Sequence, residues 1–275
     1  MPDLSVAIGR YNHSAAALDG GVASPLVLHD AGIKPISRAF APMVREGRFE
    51  VSEMAIATFL MAKAWGKPLV LLPVVMAARF QEGALLCRAD GPVRAPGDLR
   101  GRRVGVRAYS QTTGLWLRGT LQHEHGVAPD GIRWVTFEDA HVAEYADPSF
   151  VERAPPGSDL LALLKDGTLD AAIFGNDTPD DRALRPVFPD VAAAGEAFRT
   201  RHGFVPVNHL LVLRRDVAES RPDIAAELVR LFNGTTRAAL NPAIELAIRF
   251  SAEQDLLPRP LTTDEVWEGL PPEVA

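Results

Sequence analysis

The residues best suited to chemistry sit where apolar runs end. The stretch from Arg103 to Arg118 reads as strand, polar loop, helix, and its loop presents Ser110, Gln111, Thr112 and Thr113 at a helix N-terminus. Free backbone N–H groups and the positive end of the helix dipole favour an anion there, so a carboxylate or phosphate fits. A single serine or threonine would be a plain N-cap; four polar residues in a row exceed what capping needs. Arg79 and Phe80 close the apolar strand Leu69 to Ala78. Arginine can grip a carboxylate with two parallel hydrogen bonds and phenylalanine can stack on an aromatic ring, although a surface arginine at a strand end looks the same.

Other candidates are weaker alone. Arg10, Tyr11, Asn12 and His13 follow the first apolar run, where a parallel sheet places its ligands. The segment Arg48 to Met54 reads as a strand entering a helix, with Ser52 as N-cap and Glu53 in the first turn. Helix chemistry accounts for both as well as ligand contact does. His209 lies in the apolar setting Phe204 to Leu210, which can tune an imidazole for proton transfer or simply bury a satisfied structural histidine. His123-Glu124-His125 and Asp139-Ala140-His141 lack HExxH spacing, and two residues apart on a helix differ by about 200°. No metal site is expected. Dinucleotide, P-loop and hydrolase-elbow glycine motifs are missing, and Cys87, the one cysteine, reads as a small buried hydrophobe.

The elements that must position these residues alternate. Apolar runs at Leu4 to Ile8, Leu69 to Val75, Arg103 to Val106, Ile132 to Phe137, Ala171 to Phe174 and Leu210 to Leu213 read as strands. Helical patterns separate several of them, capped for example at Ser158 and Ser220, which predicts α/β architecture with a mostly parallel sheet. Turn formers crowd residues 89–97, and a second break falls at residues 201–206. Two crossings imply a discontinuous first lobe.

The 275 residues carry a net charge of −6 with scattered arginines, so no nucleic-acid footprint is present. No apolar run reaches the roughly 18 residues of a membrane span. The start Met1-Pro2-Asp3 leads straight into an apolar strand with no signal-like segment, and a cytoplasmic protein is expected.

Taken in order, several segments resemble the 4,5-dihydroxyphthalate decarboxylase-like family of the type II periplasmic-binding-protein fold. They are Arg48 to Met54, Asp98 to Val106, Thr112 to Gly119, Gly167 to Ile173 and Pro206 to Asp216, and the likeness runs from about Val6 to Phe232. The Asp98 and Gly167 stretches mark the fold; Val51-Ser52-Glu53-Met54 and Pro206-Val207-Asn208-His209 point to the family. The resemblance implies a first lobe of residues 1–85 and 208–275, a second of residues 86–207, and a ligand cleft between them. It implies a cofactor-independent decarboxylase of a small hydroxylated aromatic carboxylate. In that scheme His209 supplies a proton and Glu53 receives one from a ring hydroxyl; Arg10, Asn12, His13, Ser52, Arg79, Phe80, Ser110, Gln111, Thr112, Thr113 and Asn176 hold the ligand. The alternative is a substrate-binding protein of an ABC transporter, or a cytoplasmic sensor, that holds a small carboxylate without chemistry. A homodimer is left open.

Overall fold

The computed structural model describes residues 3–274. Four strands, β1 (Asp3–Ala7), β2 (Val27–Asp30), β3 (Val51–Ala55) and β4 (Leu69–Ala78), build the first sheet with the helices α1 (Ala15–Leu18), α2 (Phe40–Glu46) and α3 (Ile56–Ala64). The chain then forms a second sheet from β5 (Leu85–Arg88), β6 (Arg103–Val106), β7 (Arg133–Thr136), β8 (Val151–Arg153), β9 (Ala171–Ile173) and β10 (Leu184–Pro186), with α4 (Thr112–His125) and α5 (Leu160–Lys165). After α6 (Val191–His202) it returns to the first sheet as β11 (Val207–Arg214) and ends in α7 (Arg215–Ser220), α8 (Pro222–Leu231), α9 (Arg237–Glu253) and α10 (Thr263–Trp267).

Strand order is β2-β1-β3-β11-β4 in one sheet and β10-β5-β9-β6-β7-β8 in the other. The sheets are mixed rather than mostly parallel, because each crossing delivers a strand in reverse: β11 runs antiparallel to β3 and β4, and β5 to β9 and β10. The return strand thus enters the middle of the first sheet, and His209 pairs with Ala55 at the end of β3.

Local readings of helix starts need correction. Ser52 and Glu53 lie inside β3, every residue of which is buried, and α3 starts only at Ile56. A central strand walled by β1 and β11 keeps its extended backbone past a good capping residue. Asp159, not Ser158, caps α5 by accepting from the Ala162 N–H. Ser220 ends α7, and Pro222 opens α8.

The largest apolar cluster belongs to neither lobe alone. It joins Met43, Phe59 and Leu60 of α2 and α3 to Val104, Leu115 and Trp116 of β6 and α4, and to Ala247 and Phe250 of α9. Helices α4 and α9 meet at Gly119, where a Cβ would come within 2.1 Å of the Phe250 ring, so only glycine permits the approach. The Trp116 indole N–H donates to the Val207 carbonyl over 2.8 Å, tying α4 to the start of the return strand.

Candidate functional site

A cavity of about 710 Å³ opens between the sheets, within the usual range for small-molecule sites. Its walls combine side chains of both lobes with the first residues of α3 and α4. The Ala57 N–H donates to Thr112 Oγ1 over 3.2 Å, so the two helix starts are joined.

His209 reaches the cavity from β11. Its Nδ1 lies 2.5 Å from Oε1 of Glu53, whose side chain is fully buried. A carboxylate accepts only, so Nδ1 carries the proton of this bond and Nε2 is the nitrogen left for the cavity. The same carboxylate accepts from the Gly9 N–H at 2.8 Å and from the Tyr11 hydroxyl at 2.7 Å. Burial, and then the charge of Glu53, push the Tyr11 phenol well above its ordinary pKa and keep it a donor. Three donors therefore hold one buried carboxylate, as a buried charge requires.

Arg79 presents the opposite arrangement. Its Nη2 donates to Thr113 Oγ1 at 3.2 Å, its Nε is buried without a hydrogen-bond partner, and among the described residues no carboxylate lies within ion-pair distance. Burial lowers its pKa from the ordinary arginine value, yet a guanidinium keeps its charge near neutrality. Ser110, Gln111, Thr112, Thr113 and Asn176 also line the cavity, and Gln111 Oε1 is buried and unpartnered.

The remaining expected residues lie elsewhere. Arg10 pairs with Asp19 at the surface, Asn12 is exposed, and His13 stacks on Tyr11 outside the cavity. The chain turns outward after β1, so only the Gly9 N–H and the Tyr11 hydroxyl of that stretch bear on the site, both through Glu53. Ser52 spends its hydroxyl on the carbonyl of Glu53 at 2.7 Å. Glu53 itself does not line the cavity and stands behind His209, a positioning group rather than the acceptor of a ligand proton. Phe80 packs over Gly195 of α6, where a Cβ would meet its ring at 2.8 Å, and does not line the cavity.

Cavity residues not singled out from sequence include Phe40, Thr58 and Arg107, and His141, weighed there only as a metal ligand, lines the cavity too. The rings of His141 and His209 both stand edge-on to Phe40, with centroids 5.5 and 5.2 Å away. His141 Nδ1 lies 2.8 Å from Thr58 Oγ1, and Arg107 pairs with Glu138 at 3.4 Å. Asp139 pairs with Arg153, and His123 with Glu253. The one local signal for His141 was its type; its partners come from far along the chain.

No protein-family model matches the chain. Two curated relatives, both named 4,5-dihydroxyphthalate decarboxylase, bear out the resemblance read from the sequence. The protein from Comamonas testosteroni is 27% identical over 96% of this chain and 85% of its own length. The one from Pseudomonas putida is 27% identical over 62% of this chain and 69% of its own. Among solved structures, a mutant of the desulfurization enzyme DSZB in complex with biphenyl-2-sulfinic acid superposes with a TM-score of 0.60 at 16% identity, over 98% of this chain and 97% of that one. The periplasmic aliphatic sulphonate binding protein SsuA from Escherichia coli gives 0.56 at 14% identity, over 98% and 83%. The architecture is the two-lobed periplasmic-binding-protein fold, one scaffold that carries a binding protein and an enzyme alike.

Proposed function

We propose that the protein is a cofactor-independent decarboxylase of a small aromatic carboxylate bearing ring hydroxyls, held in the cleft between the lobes. The observation that carries this reading is the His209 imidazole, backed by the buried Glu53 carboxylate and facing the cavity with its other nitrogen. A ligand carboxylate meets Arg79 and the start of α4, where charge and free donors are available. Both curated relatives are named for 4,5-dihydroxyphthalate, a ring with carboxylates and hydroxyls together.

The steps balance with one proton. The protonated His209 gives its Nε2 proton to the ring carbon that bears the departing carboxylate, while a ring hydroxyl feeds electron density to that carbon. The bond to the carboxylate breaks, its electron pair restores the aromatic ring, and CO₂ leaves. Neutral His209 then regains a proton from solvent. Glu53 holds the ring in one tautomer and stabilises the imidazolium, the part a carboxylate plays behind a catalytic histidine elsewhere.

The test is release of CO₂ from 4,5-dihydroxyphthalate and related hydroxybenzene carboxylates, with His209→Asn beside the native protein. The expected result is turnover that falls by about 10²-fold or more in the variant while Kd stays within a few-fold. Tight binding with no CO₂ from any compound would overturn the enzyme and leave a binding protein.

A further inference from the structure

The cavity holds a second imidazole that the scheme above does not use. His141 lies on the connection between β7 and β8, and its place is set from the first lobe. Arg45 of α2 donates to the carbonyls of Ala140 and His141 at 2.8 and 2.9 Å, and Thr58 of α3 engages Nδ1 at 2.8 Å. With Nδ1 taken, Nε2 is the nitrogen this cavity-lining ring has left for a ligand.

The two histidines differ in their surroundings. His209 has a buried carboxylate at its back, whereas His141 lies within the field of two arginines, Arg107 beyond β6 and Arg45 on α2, with the His209 ring on β11 as a further neighbour. The nearby acids are spent, since Glu138 pairs with Arg107 and Glu144 with Lys67. Burial first, and these charges after it, push the His141 pKa down to about 4, so its ring is neutral at physiological pH. A neutral imidazole offers a carboxylate no ion pair, but it forms one well-defined hydrogen bond with a hydroxyl. Phe40, edge-on to both histidines, adds an apolar ring beside them.

We propose that His141 is a specificity-determining residue that hydrogen-bonds a ring hydroxyl of the ligand and so orients the ring between Arg79 and His209. This inference rests on the reading of the ligand as a hydroxylated aromatic carboxylate. It assigns the two ends of that ligand to different walls: the carboxylate to Arg79 and α4, the hydroxyl to His141. A buried site that lacks its hydroxyl partner leaves a polar group unpaired, which is a strong basis for rejecting the deoxy analogue.

The experiment compares Kd for 4,5-dihydroxyphthalate and for phthalate by calorimetry, in the native protein, His141→Phe and His141→Asn. The native protein should prefer the dihydroxylated compound by about 10²-fold, His141→Phe should shrink that preference to within a few-fold with phthalate affinity little changed, and His141→Asn should keep part of it. If His141→Phe does not fold, the asparagine variant carries the comparison. A preference that survives both substitutions, or equal weakening of both ligands, would overturn the proposal and make His141 a structural residue. CO₂ release is read separately. No turnover with the hydroxyl preference intact sinks the decarboxylase alone, and failure of the native protein to bind either compound sinks both.

Discussion

Two corners of one cleft are built on opposite plans. Behind His209 the buried charge is satisfied: Glu53 accepts from Gly9, Tyr11 and His209 and is sealed from solvent. Around Arg79 the bonds are left open, with an unpartnered Nε, one threonine hydroxyl in reach and an unpartnered Gln111 oxygen close by in the lining. An unsatisfied buried polar group costs about 1–3 kcal/mol, more when charged, and such a cost persists where binding offsets it. The difference separates a corner that holds its own geometry from one that waits for a ligand.

The largest expected effect comes from breaking the satisfied corner. Glu53→Ala strands three donors in the interior, and stability should fall by about 3–5 kcal/mol in chemical denaturation, as for other broken buried pairs. Arg79→Met tests the open corner. Folding stability should hold or rise, because a desolvated cation is removed, while Kd for an aromatic carboxylate weakens by about 10²–10³-fold. Were Arg79→Met to destabilise the fold as Glu53→Ala does, the contrast between the corners would vanish.

A smaller effect concerns pH. The unfolded chain takes a proton on His141 near pH 6.5, the folded chain only near 4. The contribution of this group is therefore complete above pH 6.5 and is lost as pH falls toward 4, by roughly 2 kcal/mol after allowance for partial exposure. His141→Phe should flatten that part of the stability profile measured by urea unfolding.

Much of the scaffold was legible in the sequence because its signals are local. The apolar runs, the loop ahead of α4 and the turn-rich stretch after β5 announce themselves by composition. What escaped depends on distant partners. Ser52 and Glu53 look like a helix start until β1 and β11 close on both sides of them. Arg10 and His13 follow a strand as ligand-binding residues do, yet the turn after Gly9 carries them outward. Phe80 sits beside Arg79 in sequence, but α6 claims its ring. His141 meets Thr58 across 83 positions, a contact that no periodicity encodes.

The shared core around Gly119 and Phe250 bears on how the molecule comes apart. Residues from both sheets bury their apolar surface against α3, α4 and α9, and the first lobe is completed only by a strand that arrives after the second lobe has been traversed. Melting either half would expose the apolar face of the other and withdraw β11 from the centre of its sheet, so neither half is a separate cooperative unit. The lobes are distinct in shape and single in thermodynamics, and the histidine on β11 keeps its place only while both are folded.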